Sequence, residues 1–305
     1  MNLFLTFDRN YTQHAVVMLR SLFDNHSGQR FDLFIYSEDQ DEIERLLKKE
    51  FHGENFGLSF IDYKYESLPK LTNRYYNENY YKIIYTRLHI GELLPDLDRV
   101  LSIDVDIIVN GSIEEFYNTE LNEDQLFAGV AEVRKSEFSK FGIHPEHRNS
   151  ETNFNCGVLL IDLKKWREWG VSEKTTAHII KNEKILGAPT QDTLNPLYYN
   201  NWKIASPKYN LHHFYLLFPF KIKDLPYSLE EVKVATKNPV IIHYTGSMNP
   251  WNYLDIHPYR KLYWKYLKRT SFRDYEPIDR NFKNMIIKYR RLLMVKTQKL
   301  INGFG

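Results

Sequence analysis

Asp104 and Asp106 stand two residues apart within the apolar run Leu101-Ser102-Ile103-Asp104-Val105-Asp106-Ile107-Ile108-Val109. Carboxylates at that spacing can share one hard divalent cation, such as Mg²⁺ or Mn²⁺, and leave coordination positions open for a diphosphate. Two other Asp-x-Asp pairs, Asp39/Asp41 and Asp96/Asp98, lie in polar stretches where water solvates them. Only Asp104 and Asp106 interrupt a run too apolar for a surface, where uncompensated carboxylates would be costly. The competing reading is a strand-end turn with solvated aspartates. A second feature is the stretch from Val240 through His243, Thr245 and Gly246 to Asn249-Pro250-Trp251. There a strand delivers an imidazole at its end, which suits a metal, and Gly246 allows close backbone approach to a phosphate. Taken alone, a histidine at a strand end is more often structural.

These residues need a scaffold, and the first 110 positions describe one. Asn2–Phe7, Phe31–Tyr36, Leu58–Tyr63 and Arg99–Asp104 read as strands. Between them, Gln13–Asn25, Glu38–Glu50 and Tyr80–Leu94 carry apolar residues at helical spacing, the last stopping before Pro95. Alternating strands and helices predict a sheet with parallel strands joined by right-handed crossovers. Thr6-Phe7-Asp8-Arg9-Asn10 follows the first strand where a dinucleotide fold would carry a glycine-rich turn, so NAD and P-loop readings are weak. Further on, Leu126–Val133, Phe154–Leu163 and Pro239–Tyr244 read as strands, and Lys164–Trp169, Ser172–Asn182 and Gln191–Tyr199 as helices. No glycine- or proline-rich linker divides the chain.

Composition excludes several classes. The 22 Tyr, 19 Phe and 5 Trp among 305 residues exclude bulk disorder. A single cysteine, Cys156, excludes a disulfide scaffold and points to a reducing compartment. No apolar run is long enough to span a membrane, and the N-terminus meets Asp8 too soon for a signal peptide. The net charge of +2 hides an asymmetry: residues 259–305 hold 13 Lys+Arg against 3 Asp+Glu, a charge of +10, and residues 1–258 carry −8. The body is no polyanion binder, and no nucleic-acid partner is expected. The basic end predicts an anionic partner.

Six blocks together resemble glycosyltransferase family 8, the retaining transferases that use nucleotide-sugar donors. They are Asp8-Arg9-Asn10-Tyr11, Tyr85-Thr86-Arg87-Leu88 with Leu93-Leu94-Pro95, Asp104-Val105-Asp106, Phe154 through Leu163, Gln191-Asp192-Thr193-Leu194-Asn195, and His243-Tyr244-Thr245-Gly246 through Pro250-Trp251. The resemblance implies an α/β fold of the nucleotide-diphospho-sugar transferase (GT-A) type, with a mixed central sheet over residues 1–258 and a basic helical segment over 259–305. It implies Mn²⁺, with Mg²⁺ as the alternative, held by Asp104, Asp106 and His243. Asp8 and Asn10 would bind the uracil and ribose side of a UDP-sugar, and Tyr11 would stack on the base. Arg87, Val105, Gly246 and Asn249 would complete the donor site. Asn155 would hold the transferred sugar, Gln191 would lie under its anomeric carbon, and Asp192 would orient it. A neutral amide at 191 is a poor nucleophile, which favours same-face attack with the leaving phosphate as base. The acceptor would be a glycan, glycolipid or glycoprotein of the cell surface. Tyr75, Tyr76, Tyr80, Tyr81, His212, His213 and Tyr215 are candidates for stacking on its sugar, with core packing the commoner role for each.

Three departures from the family pattern matter. Thr190 stands where an Asp is frequent, Asn249 where a Lys is frequent, and Arg9 where an Asp is usual. The first two support a second reading, a non-catalytic member acting as a scaffold or partner of another transferase. Finally, Arg280–Leu300 is helical in pattern. Phe282, Met285, Ile286, Tyr289, Leu292, Leu293 and Leu300 share one face, and residues 280–305 hold seven Lys+Arg and no acid. Such a face can pack on the protein's own body or on an anionic leaflet. The expectation is a cytoplasmic enzyme, peripheral at the inner membrane face through residues 280–305.

Overall fold

The computed structural model describes residues 1–64, 78–132, 138–143, 152–217, 225–246 and 249–301. In chain order the elements are β1 (Asn2–Thr6), α1 (Thr12–Asp24), β2 (Phe31–Tyr36), α2 (Gln40–Glu50), β3 (Phe56–Phe60), α3 (Glu78–Leu88), α4 (Ile90–Leu93), β4 (Arg99–Ile103), β5 (Ile107–Val109), α5 (Glu114–Tyr117), β6 (Phe127–Glu132) and β7 (Asn153–Asp162). They continue with α6 (Leu163–Glu168), α7 (Val171–Asn182), α8 (Pro189–Tyr198), β8 (Trp202–Ile204), β9 (Leu211–His212), α9 (His213–Leu217), α10 (Leu229–Lys237), β10 (Ile241–His243), α11 (Arg260–Leu267) and α12 (Phe282–Ile301).

Seven strands form the main sheet in the order β3-β2-β1-β4-β7-β6-β8. β3, β2, β1 and β4 are parallel to one another, β7 runs antiparallel to β4 and to β6, and β8 pairs parallel with β6. The sheet is therefore mixed, as expected. Its central strands are apolar throughout because both faces are covered. Leu3 and Leu5 join one core with Leu33, Ile35, Leu101 and Ile103 beneath α1 and α2. Phe4 and Val100 point the other way, into a core shared with Ile84, Tyr85, Trp166, Ile179 and Leu194 of α3, α6, α7 and α8.

A second, three-stranded sheet has the order β5-β10-β9. β10 pairs antiparallel with β5, His243 opposite Ile107, and parallel with β9, His243 opposite His212. A third core joins Ile108 and Ile242 of this sheet to Val17 of α1 and to Tyr263, Tyr266 and Leu267 of α11. The aromatic part of the basic segment is thus internal: Gln13 Nε2 donates to the Tyr263 hydroxyl at 3.0 Å, and Asn25 Nδ2 to that of Tyr266 at 3.1 Å.

α12 lies on the surface with its apolar face outward. Phe282 and Tyr289 are 73% and 70% exposed, and Met285, Ile286, Leu292, Leu293 and Leu300 are also open. The side toward the body is the more polar one. Lys288 Nζ donates to the Tyr253 carbonyl at 2.7 Å, Asn284 Nδ2 to the Asp279 carbonyl at 2.6 Å, and Val295 packs with Leu217 and Ile256. Among the described residues no helix is long and apolar enough to cross a membrane.

Candidate active site

Asp104 and Asp106 occupy the step between the two sheets. Asp104 follows β4, and its N–H donates to the Gly157 carbonyl of β7 at 2.7 Å. Asp106 precedes β5, and its carbonyl accepts from the Tyr244 N–H at 2.9 Å, just after β10. Each aspartate is therefore fixed by a different sheet, and His243 arrives at the end of β10. His243 Nε2 lies 3.1 Å from Asp106 Oδ1 and 3.6 Å from Asp104 Oδ2. One ligand atom from each of the three residues lies within 4.8 Å of the others.

The donor set fits a divalent cation. It offers two carboxylates and one imidazole, the aspartates half-buried and His243 2% exposed. Burial alone would lower the His243 pKa, but the charges of Asp106 and Asp104 outweigh it and hold the imidazole above its ordinary value. The same two carboxylates would face a bound metal ion. Its floor is Gly157, where a Cβ would strike His243 Cε1 and stand 2.6 Å from Asp104 Oδ2. Arg87 closes one side through an ion pair with Asp104, and its Nε donates to Thr6 Oγ1 at 2.8 Å.

A cleft opens over this group in two connected parts. One, of about 320 Å³, is lined by Asp8, Tyr11, Tyr80, Arg87, Val105 and Thr190 among others. The other, of about 210 Å³, reaches Asn155, Gly157, Gln191, His243, Thr245 and Gly246. Asp104 and Asp106 line both. Most of the residues singled out in the sequence thus meet in one place. Tyr11 is held edge-on to His14 and Trp251, with ring centroids 5.3 and 6.1 Å away. Asp8 lines the cleft while its Oδ1 accepts from the Asn10 and Tyr11 N–H groups, a helix cap. Gly246 adopts φ +73°, in the left-handed region that favours glycine.

Other positions lie apart. Asn10 is exposed beside the cleft, and neither part of the cleft is lined by it, by Asp192 or by Asn249. The Asp192 carboxylate accepts from the Gly187 and Ala188 N–H groups at 2.6 and 3.0 Å and faces Lys140, so it ties down the turn before α8. Asn249 Oδ1 is buried without a hydrogen-bond partner among the described residues. Arg9 leans outward to Asp39 and Glu42. Of the acceptor candidates, Tyr80 lines the cleft; Tyr81, His212, His213 and Tyr215 are buried, and Tyr75 and Tyr76 lie outside the described residues.

Three residues of the site carried no weight in the sequence reading. Gly157 is its floor. Asn210 Oδ1 faces His243 Nδ1 at 2.8 Å. Glu132, at the end of β6, accepts from Asn155 Nδ2 at 2.8 Å and Gln191 Nε2 at 3.4 Å. Glu132 gave the same signal as Asp104, an acid closing an apolar strand. Asn210 gave none.

Comparison with known proteins gives the family and the fold. The family model described as glycosyl transferase family 8 matches residues 2–255. The general stress protein A of Bacillus subtilis is 27% identical over 87% of this chain and 92% of its own. The lipopolysaccharide 1,2-glucosyltransferase of Escherichia coli K12 is 25% identical over 89% and 79%. Among solved structures, the galactosyltransferase LgtC, crystallised with donor and acceptor sugar analogues, superposes with a TM-score of 0.72 at 21% identity, covering 89% of this chain and 96% of its own. GlyE of Streptococcus pneumoniae superposes with a TM-score of 0.60 over 96% of this chain and 63% of its own. These likenesses give the GT-A fold. With a family model matched across more than four fifths of its length, the chain belongs to glycosyltransferase family 8.

Proposed function

We propose that this glycosyltransferase moves a hexose, galactose or glucose, from a UDP-sugar to a glycan, glycolipid or glycoprotein of the cell surface, with retention at the anomeric carbon. The observation that carries the reading is the convergence of Asp104, Asp106 and His243 on the floor of a cleft with Tyr11 at one end and Gln191 at the other. Those three residues would hold Mn²⁺ or Mg²⁺, and a bound cation would stabilise the charge that develops on the departing diphosphate. The chain's own residues supply the rest. Tyr11 and Asp8 receive the nucleoside end, Arg87 reaches the phosphate or the sugar, and Asn155 and Gln191 border the sugar. Gln191 is neutral, and its Oε1 already accepts from the Cys156 N–H at 3.3 Å. Same-face attack by the acceptor hydroxyl is therefore preferred over a covalent intermediate on Gln191. The outward apolar face of α12, with its basic flanks, supports peripheral attachment to an anionic leaflet.

The test is hydrolysis and transfer with UDP-galactose and UDP-glucose, with and without Mn²⁺. Asp106→Ala should lower Mn²⁺-dependent turnover by at least ~10²-fold, because one carboxylate of the charge-stabilising group is lost. Proton NMR of the first-formed product should show an α-linkage. Full activity of the variant would refute the metal assignment, and a β-linked product the stereochemistry. A UDP titration that shows no binding with or without Mn²⁺ would favour the non-catalytic reading.

A further inference from the structure

The polar groups behind His243 form a hydrogen-bond chain whose direction is forced. The backbone N–H of Gly157 can only donate, and it donates to Asn155 Oδ1 at 3.0 Å. The Asn155 NH₂ therefore faces Glu132 Oε2, at 2.8 Å. Asn210 Nδ2 donates to the same Asn155 Oδ1 at 2.9 Å, which turns Asn210 Oδ1 toward His243 Nδ1. Nδ1 must then carry hydrogen, and Nε2 is left facing Asp106 and Asp104. The far end is fixed in the same way. The Cys156 N–H meets Gln191 Oε1, so Gln191 Nε2 turns to the carboxylate oxygen that already holds Asn155. The ladder permits this because β7 and β6 change register between Gly129 and Ala131, where their partners are Leu159 and Phe154. The N–H groups of Cys156 and Gly157 lie within that interval and bond to side chains. Asn210 is 0% exposed and Glu132 9%, so a reversed amide would bury two donors or two acceptors face to face.

We propose that Asn210 and Glu132 are positioning residues for the site. Through the chain His243–Asn210–Asn155–Glu132–Gln191 they keep a hydrogen on His243 Nδ1, so that Nε2, which faces Asp106 at 3.1 Å, is the nitrogen that would exchange its proton for the cation. They also fix the two amides that border the sugar side of the cleft. This rests on the metal reading above. A metal takes neutral imidazole, and loss of the partner on the other ring nitrogen weakens its binding.

The test uses the full chain. Free Mn²⁺ is followed by its EPR signal with UDP present. Asn210→Leu, similar in volume but without the acceptor, should bind Mn²⁺ about 10- to 100-fold more weakly. Asn210→Asp still accepts from Nδ1–H but sets a carboxylate oxygen where Asn210 Nδ2 donates to Asn155, so it should bind more weakly than the parent and more tightly than Asn210→Leu. Glu132→Met should weaken binding in the same direction, and the Asn210→Leu/Glu132→Met double variant should be no worse than Asn210→Leu alone, as members of one chain are non-additive. Long-range ¹H–¹⁵N spectra of the parent with Mg²⁺ and UDP should show His243 protonated at Nδ1, a readout independent of whether any variant folds. Parent-like binding by Asn210→Leu, additive effects, or a hydrogen on Nε2 would overturn the inference. A parent that binds neither Mn²⁺ nor Mg²⁺ would instead overturn the metal reading beneath it.

Discussion

A methyl group at position 157 has nowhere to go. Its carbon would collide with the His243 ring and crowd Asp104. The Gly157 backbone is not in the left-handed region, so the need for glycine there is one of space alone. Gly157→Ala should push His243 and Asp104 apart, at about 1–3 kcal/mol of overpacking. Mn²⁺-dependent turnover should fall at least about 10-fold, as a Mn²⁺ titration of the rate would show, while circular dichroism should report a folded protein. Asn249 gives the opposite kind of prediction. Its buried Oδ1 has no partner among the described residues, and the two cations nearest in role are occupied, Arg87 by Asp104 and Lys208 by Glu115. Asn249→Lys would supply a charge-assisted contact of about 1.5–3 kcal/mol to a diphosphate. Calorimetry with UDP and Mn²⁺ should therefore show affinity at least about 10-fold tighter, and an unchanged value would mean that position 249 does not reach the phosphates. At this scale Asp104, Asp106 and His243 were legible because each is a polar residue closing an apolar run. Asn210 was not, since nothing in Tyr209-Asn210-Leu211-His212 distinguishes it from a turn.

The elements divide by length. β1, β2 and β7, and the helices α1, α2 and α7, follow from hydrophobic pattern because each buries a face long enough to show its period. Of the strands that assemble the site, only β10 shows, inside the run Pro239–Tyr244; β5 has three residues and β9 two, and they exist through their pairing. β3 runs over Phe56–Phe60 rather than from Leu58, because its register is set by Phe31–Ile35 of β2. The helix expected over Tyr80–Leu94 is broken at His89, with Gly91 packed beneath Trp166. The connection from the small sheet to α12 carries a titrating group. Asp255 is 1% exposed, and burial pushes its carboxyl up to about 6, against the His257 N–H and the charges of Arg260 and Lys288. The folded state then binds the extra proton between about pH 4 and 6, so this contribution to stability is full below pH 4 and is lost as pH rises through 6. It amounts to at most about 3 kcal/mol. Melting curves should show the parent falling relative to Asp255→Asn over that interval, and parallel curves would contradict the raised pKa.

The molecule as a whole is electrically lopsided, with −8 on residues 1–258 and +10 on residues 259–305. α11 spends its aromatic residues on the interior, so α12 is left as the basic surface with exposed apolar side chains. Lysines and arginines near an anionic leaflet contribute about 1 kcal/mol each, and salt screens them. The protein should co-sediment with phosphatidylglycerol vesicles at low salt and release at high salt. Replacing the exposed Lys283, Arg290 and Lys296 by Glu should abolish that binding without changing turnover of soluble donor. Retention of binding by the charge-reversed protein would refute the attachment proposed for α12.

The placement of Asp104 and Asp106 on different sheets has a mechanical consequence. Asp104 is fastened to β7, whereas Asp106 and His243 belong to the small sheet, whose Ile107, Val109, Leu211 and Ile241 share the core of β1 and β4 and whose Val109 bonds to Ser21 and Asn25 of α1. A cation gripped by all three would add a polar tie across the seam between the two sheets, beside the core they share. Filling the site to 100 times its dissociation constant would add about 2.7 kcal/mol to the folded state. The gain should be concentrated at that seam. Hydrogen exchange should slow at Asp104 and Tyr244 on adding Mn²⁺, while amides in β2 and β3, remote from the join, keep their rates. The ion would then set how far the cleft can gape, and a chain stripped of metal should breathe along the line where its two sheets meet.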